Sequence, residues 1–241
     1  METTLIYEGK AKNVYSSDEP NVLRLEYLDQ ATALNGKKKD VVKGKGELNN
    51  QITSLIFSEL SKQSISNHWI KILSKNEQLV KKVKIIPLEV VLRNVAAGSF
   101  TRRLGVKEGT ILEHPIIEFY YKDDLLDDPF INDEHIAYLS LASKDELAYI
   151  KSETLKINNA LIKIFDDIDV TLVDFKLEFG KDANGAIILS DEVTPDTCRL
   201  WDKSTRTSLD KDIYRKDLGN IIPIYQEILS RLKNKGEDKD V

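Results

Sequence analysis

The segment from Val173 to Gly180 alternates at every step, with Val173, Phe175, Leu177 and Phe179 set against Asp174, Lys176 and Glu178. Period two predicts a β-strand with one face buried. The turn pair Asn184-Gly185 follows, then the apolar run Ala186 to Leu189, so the pattern predicts a β-hairpin. With a two-residue loop, Ala183 faces Ala186 and Glu178 lies directly opposite Asp191. Like charges so placed are destabilising. A divalent cation held between the two carboxylates is the simplest compensation. Ile187 and Leu189 share that face, which favours a covered cleft over open surface. The alternative is a polar face turned to water, as in most antiparallel sheets.

Elsewhere, period two in "VLRLEYL" predicts a strand from Asn21 to Tyr27. Shorter strands are expected over Leu5 to Lys12 and Asn13 to Tyr15, with turns at Gly9 and at "SSDEPN". Gly36 to Gly46, "GKKKDVVKGKG", reads as a loop. Ile52, Leu55, Ile56 and Leu60 fall on one face of a helix spanning Leu48 to Ser64. Val80 to Leu92 is apolar but holds Pro87, which favours strands over a helix. Ala96 to Leu104 reads as a helix start or tight loop. Leu147, Ile150, Leu155, Ile157, Leu161, Ile164 and Phe165 mark a long amphipathic helix from Lys144 to Asp167. A second helix covers Leu218 to Leu232, and a frayed polar tail follows it. Strands and helices do not alternate as βαβα, so the fold class expected is α+β. If two lobes exist, their crossover falls near Lys81 to Pro87.

The 241 residues fit one large domain or two small lobes sharing a cleft. The net charge of -5 gives no global attraction to nucleic acid or anionic membrane. A single cysteine, Cys198, excludes an intrachain disulfide and fits a reducing cytosol. With only His68, His114 and His135 beside it, a zinc site of usual composition is excluded. No signal-peptide pattern opens the chain, and no run of about 18 apolar residues occurs. A soluble, cytosolic protein is expected.

Four segments concentrate chemistry. In "YEGKAKNVY", Lys10 and Lys12 share one strand face beside Gly9. Their repulsion is relieved by an anion, which a glycine lets the backbone approach. A solvated basic edge is the rival reading. In "RNVAAGSFTRRLG", Ser99 could bond a phosphate oxygen and Arg93 could bind it bidentately; a tightly packed corner with solvated arginines is the alternative. "YYKDDLLDDPF" gathers Lys122 with four aspartates, either a solvated loop or a ligand contact. "DEVTPDTCRLWD" sets Asp191, Glu192, Asp196 and Arg199 around Pro195. It reads either as a rigid loop that aims charges or as a turn with an internal Asp196–Arg199 pair.

In series, "YEGKAKNVY", "GKGELNNQITSLIF", "VVLRNVAAGSFTRRLG", "KDDLLDDPFIND", "LVDFKLEFG" and "SDEVTPDTCRLWD" resemble the SAICAR synthetase family, in its compact bacterial form. The resemblance runs through nearly the whole chain. It implies a two-lobed fold related to ATP-grasp enzymes, with a first lobe like a kinase N-lobe and ATP in the cleft between lobes. The lobes would be residues 1–84, β-rich and phosphate-binding, and 85–241, carrying the metal and nucleotide-substrate sites. The activity implied is ATP-dependent amide formation between carboxyaminoimidazole ribonucleotide and L-aspartate, with magnesium.

By the same resemblance Glu178 and Asp191 hold magnesium, and Lys10 and Lys12 serve the ATP phosphates. Lys81 and Val83 lie in the crossover that offers backbone groups to adenine. Arg93, Ser99 and Arg199 clamp the ribose phosphate, and Asp196 accepts from the imidazole amino group. Lys176, Asp174 and Lys122 form the catalytic group, with Lys176 at the carboxylate being activated and Lys122 a further cation near ATP. The family implies a homodimer, and Cys198 is a bystander. Some relatives carry an acid where this chain has Leu34-Asn35-Gly36, so the aspartate-binding residues stay unassigned. A small-molecule kinase and a nucleotide-sensing module are the rivals. The Arg93/Ser99 corner and the Asp196/Arg199 loop argue against both, since they form an anion site beyond what ATP needs. Gly36 to Gly46 and Asp123 to Ile131 are the loops expected to close on binding.

Overall fold

The computed structural model describes residues 4–33 and 38–235. The chain opens with β1 (Leu5–Glu8), β2 (Lys12–Ser16), β3 (Val22–Tyr27), β4 (Gln30–Ala33) and β5 (Lys38–Val41). Helix α1 (Lys45–Lys62) then leads to β6 (Trp69–Ser74), β7 (Glu77–Lys81) and the long β8 (Lys84–Val95). Next come α2 (Ser99–Leu104), β9 (Ile111–Tyr121), β10 (Phe130–Ile131), α3 (Asp133–Tyr138) and α4 (Lys144–Asp166). The chain continues through β11 (Val170–Lys181), β12 (Ile187–Ser190), β13 (Cys198–Asp202), α5 (Asp212–Arg215) and α6 (Ile221–Asn234).

One sheet has the order β1-β2-β3-β7-β6 and a second the order β10-β9-β8-β11-β12, with β13 also on β11. Pairings between these strands are antiparallel, and β4 with β5 forms a separate ribbon. This is an α+β architecture, as the lack of βαβα alternation predicts. The two sheets part at Lys82-Val83, between β7 and β8. The main core joins the second sheet to α1, α4 and α6 through Ile52, Phe57, Ile157, Leu161, Tyr225 and Ile228. Each such burial is worth about 1.5–3 kcal/mol. The first sheet keeps only a small core of Leu25, Tyr27 and Val80. Among the described residues, no helix is long and apolar enough to cross a membrane.

Several boundaries depart from the patterning. Inside the segment read as a loop, Lys38–Val41 pairs with β4; Gly36, with Leu34 and Asn35, lies outside the described residues. Helix α1 begins at Lys45 because the Asp29 carboxylate accepts the N–H groups of Gly44 and Gly46 at 3.0 and 2.9 Å, satisfying donors that a helix start leaves open. Leu155 is 42% exposed, off the apolar stripe of α4. Pro87 stays inside β8 because the ladder is irregular there. Glu178 pairs with Glu89 and Gly180 with Ile85, so one residue opposes three and no ladder N–H is needed at the proline.

The hairpin register is one residue away from a two-residue loop. Asp182 N–H donates to the Ala186 carbonyl at 2.9 Å, so the loop is residues 183–185 and Glu178 stands opposite Ser190. The cause is local: Asp182 Oδ1 accepts from the N–H groups of Asn184 and Ala186 at 2.8 and 2.9 Å. Gly185 takes the positive φ of 81° that such a turn needs.

Candidate active site

Central strand β11 answers its own alternation. Asp174 and Glu178 are buried, and Lys176 is half-buried, so the charged face is covered. It faces a cavity of about 920 Å³ where the two sheets meet, lined by every residue given a catalytic, nucleotide, substrate or metal role above, and by Asp124 and Asp128 of the acidic loop. From the first sheet and the crossover come Lys10, Lys12, Lys81 and Val83; from β8 and the start of α2 come Arg93 and Ser99. Lys122, Asp174, Lys176, Glu178, Asp191, Asp196 and Arg199 complete the wall.

At one group of these residues, lysines and carboxylates interleave. Glu178 Oε1 accepts from Lys122 Nζ at 2.9 Å and Lys176 Nζ at 3.3 Å. Lys176 also donates to Glu89 Oε1 at 2.6 Å. Lys12 joins Asp191 and Glu192, the latter at 2.9 Å. Asp191 leaves β12 with φ of 60°, a left-handed conformation uncommon outside glycine that turns its side chain toward the cavity. Burial would raise its pKa, but Lys12 and Lys176 hold it well below the usual carboxylate range. Burial likewise works against the charge on Lys12, and Asp191 and Glu192 push its pKa well up. His68 donates from Nε2 to the Asp191 carbonyl at 3.1 Å, and burial lowers its pKa to about 4, leaving a neutral ring.

A magnesium ion fits the donors present. Glu178 and Asp191 offer hard carboxylate oxygens, the type this ion takes together with phosphate oxygens and water. Among the described residues, no group of three or more His, Cys, Asp or Glu forms an all-protein cage.

Near the crossover, neither the N–H nor the carbonyl of Val83 has a hydrogen-bond partner among the described residues. Gly180 makes room for this residue, since a Cβ there would lie 2.6 Å from Val83 Cγ2. Lys81 N–H is taken by the His68 carbonyl at 2.6 Å.

A second group is built on arginines. Asp174 bridges Arg93 Nη1 at 2.7 Å and Arg199 Nη1 at 2.9 Å. Arg93 also binds Glu118 at 2.8 Å and donates to Ser99 Oγ at 3.1 Å. Arg199 pairs with Asp174 and Asp212, so no internal Asp196–Arg199 pair forms. Asp196 is instead held by Lys45 Nζ at 2.5 Å and the Tyr225 hydroxyl at 2.5 Å, with Lys211 Nζ at 3.5 Å. Burial opposes its charge, yet Lys45 and Lys211 keep its pKa well below the usual range. Across the cavity mouth, Lys10 Nζ meets Asp124 Oδ1 at 2.7 Å, joining the β1–β2 turn to the acidic loop after β9.

Sequence reasoning missed Glu89, Lys45, Lys211 and His68. Glu89 had a readable signal, an acid inside the apolar run "PLEVVL". Lys45 was hidden in a lysine-rich stretch, and its near-complete burial at 1% exposure comes only from tertiary packing. Cys198 is buried, and burial pushes its thiol pKa up, so it stays protonated.

Comparison with known proteins extends these observations over the whole chain. The family model for SAICAR synthetase matches residues 5–232. A phosphoribosylaminoimidazole-succinocarboxamide synthase of Lactococcus lactis subsp. cremoris is 60% identical over 230 residues, covering 95% of this chain and 97% of its own. The crystal structure of such a synthase from Ehrlichia chaffeensis has a TM-score of 0.93 at 47% identity, covering 95% of this chain and 98% of that one. A SAICAR synthetase solved in complex with ADP has a TM-score of 0.92 at 46% identity, covering 97% and 98%. With a family match over nearly every described residue and relatives this similar along their full length, the chain belongs to the SAICAR synthetase family.

Proposed function

We propose that this protein joins the carboxylate of carboxyaminoimidazole ribonucleotide to the amine of L-aspartate at the expense of ATP, in purine biosynthesis. The observation that carries the reading is the pairing of two differently built groups on one cavity. Interleaved lysines and carboxylates suit a triphosphate with its metal, and the Arg93–Asp174–Arg199 bridge beside Ser99 suits a second phosphorylated substrate. The relative solved with ADP supports a nucleotide in this cavity.

In this reading residues 1–84 form the phosphate lobe and residues 85–241 the lobe carrying the other sites, with ATP between them. The parting of the sheets at Lys82-Val83 supports that division, although α1 packs into the larger core. The unpartnered backbone of Val83 suits the adenine edge. Lys10, Lys12 and Lys122 neutralise phosphate oxygens. Glu178 and Asp191 would hold magnesium, which when bound offsets charge on the phosphates.

The carboxylate oxygen of the imidazole substrate attacks the γ-phosphorus, and the bond to ADP breaks. The acyl phosphate so formed is then attacked by the aspartate amine, phosphate leaves, and the nitrogen loses a proton. Lys176 is placed to meet the carboxylate being activated and to stabilise charge moving to oxygen. Asp174 acts by positioning, since it fixes both arginines. Asp196 Oδ2 faces Lys45 and Lys211, while Oδ1 accepts from the Tyr225 hydroxyl and keeps a second lone pair for the imidazole amino group. Holding three substrates together supplies much of the acceleration.

The test is ADP release by the purified protein with magnesium-ATP, omitting each other substrate in turn. Release that needs both, with an amide product by mass, is expected, and Glu178→Gln and Asp191→Asn should suppress it. Release with a stable phosphorylated acceptor would replace this reading with a kinase.

A further inference from the structure

Asp191 aims its carboxylate into the cavity from an unfavourable backbone. Its φ of 60° lies in the left-handed region, which a residue other than glycine keeps only where its surroundings impose it. The sheet does not impose it, because the β11–β12 ladder ends at Glu178 opposite Ser190. Its side chain is tied to Lys12, but in the reading above phosphate and metal compete for both partners of that pair. The backbone is held instead from another part of the chain. His68, in the link between α1 and β6, donates from Nε2 to the Asp191 carbonyl at 3.1 Å. A carbonyl only accepts, so this bond places the ring proton on Nε2.

The ring is itself firmly mounted. His68 is buried, and Phe57 of α1 meets it edge to face, with ring centroids 5.5 Å apart. Both backbone polar groups of His68 are also engaged. Its N–H donates to the Leu189 carbonyl at 2.9 Å, and its carbonyl accepts from Lys81 N–H at 2.6 Å. Leu189 N–H in turn donates to the Ser66 carbonyl at 3.0 Å. The buried Asn67 donates from Nδ2 to the Phe57 carbonyl at 3.1 Å and to Ser61 Oγ at 2.9 Å, which anchors the link to the last turns of α1. His68 therefore joins β12, Asp191 and the crossover. Any buried imidazole needs a partner for its N–H. What sets His68 apart is the acceptor, the carbonyl of the strained residue that directs a carboxylate at the cavity.

We infer that His68 is a positioning residue, whose ring holds the Asp191 backbone in the left-handed conformation that points the carboxylate at the metal and triphosphate. The inference rests on the ligase reading above, with Asp191 as a holder of magnesium. Hydrogen bonds behind a metal ligand orient it and tune its affinity. The backbone bonds of His68 do not depend on its side chain, so replacing the ring should leave the crossover in place.

Calorimetric titration with ADP, with and without magnesium, on wild type, His68→Leu and His68→Gln decides the point. Leucine packs but donates nothing, whereas glutamine carries an amide N–H near the position of Nε2. His68→Leu should lose about tenfold or more in affinity for magnesium-ADP, the scale on which such supporting bonds act, while affinity for metal-free ADP stays within about twofold. His68→Gln should recover most of the loss. Equal weakening with and without magnesium would mark a merely structural role and overturns the inference. So does an unchanged affinity in both conditions, a His68→Gln variant as weak as His68→Leu, or a wild type that gains no ADP affinity from magnesium. If His68→Leu does not fold, wild-type crystals grown with magnesium-ADP decide. An Asp191 carboxylate on the metal, with φ still positive and the His68 bond intact, supports the inference. A metal held without Asp191, or with that bond broken, overturns it. Wild-type protein that binds magnesium-ADP but releases no ADP from ATP with both other substrates present fails the ligase reading itself, a separate outcome.

Discussion

Glu89 and Glu178 face each other directly across the β8–β11 ladder. Two carboxylates so placed repel, and the Lys176 ammonium lies between them, 2.6 Å from Glu89 and 3.3 Å from Glu178. The repulsion that patterning assigned to Glu178 and Asp191 therefore exists, but with a partner from another strand. Lys176 offsets it in the protein alone, and a metal ion at Glu178 would share that task.

Lys176→Met should leave the largely buried Glu89 without its ammonium and Glu178 with Lys122 alone. Breaking such a buried set costs about 3–5 kcal/mol, visible as a lower urea midpoint. Activity should fall by roughly two to three orders of magnitude if this ammonium also meets the reacting carboxylate. Added magnesium should recover part of the stability and none of the rate. An unchanged urea midpoint would show that the two glutamates separate when the lysine is gone.

Gly98 touches the arginine group directly. Its φ is 59°, and a Cβ there would lie 2.5 to 2.8 Å from the Arg199 guanidinium. The guanidinium can move, but only by leaving Asp174. Gly98→Ala should cost about 1–3 kcal/mol of stability from the strained backbone. It should also raise KM for the imidazole nucleotide while leaving KM for ATP near wild type. Equal rises for both substrates would mean that the whole cavity had shifted.

Much of this was legible in the sequence because the signals were local. The alternation of Val173 to Gly180, the helical stripes of α1 and α4 and the break at Pro87 each lie within one element. Ser143 adds a local signal of its own, since its hydroxyl and the Glu146 carboxylate close a capping box at the start of α4. The register of the hairpin was missed because one carboxylate, Asp182, chooses a three-residue loop over a two-residue one. Strand β9 was missed for a different reason: "ILEHPIIEFYY" neither alternates cleanly nor keeps helical spacing, and much of it is exposed. Partners such as Glu89 for Lys176, or Lys45 and Tyr225 for Asp196, are separated by 87, 151 and 29 positions, and only the topology brings them together.

Asp210 should leave a signature in the pH dependence of stability. It is buried, and burial with the nearby Asp212 pushes its pKa up to about 6 from 3.8. The folded protein therefore keeps a proton on this carboxyl between about pH 4 and 6, where the unfolded chain has lost it. The folded state binds more protons over that window, so this group makes stability fall as pH rises through it. A difference of about two pH units corresponds to about 3 kcal/mol. Asp210→Asn removes the titration but also weakens one of two backbone contacts, to Leu200 N–H at 2.8 Å and Asp212 N–H at 2.7 Å. Relative to wild type, the variant should therefore gain stability steadily from pH 4 to pH 6, whatever its constant offset. A difference in urea midpoint that stays flat over this range would show that Asp210 is already ionised at pH 4.

The crossover offers the sharpest separation of binding from folding. Gly180 has ordinary backbone angles, so alanine is conformationally acceptable there; the obstacle is Val83, whose Cγ2 and Cβ would lie 2.6 and 2.7 Å from the new methyl. Gly180→Ala should push Val83 outward and carry its unpartnered N–H and carbonyl with it. Overpacking of this kind costs about 1–3 kcal/mol. If Val83 meets adenine, that cost falls on the nucleotide, and KM for ATP should rise about tenfold for each 1.4 kcal/mol, with KM for L-aspartate unchanged. Replacing the obstructing side chain in the same molecule, Gly180→Ala with Val83→Gly, should bring KM for ATP back toward wild type. A double variant as impaired as the single one would show that the methyl group acts on the ladder between β8 and β11 rather than on Val83, and the adenine contact would have to be sought elsewhere on the crossover.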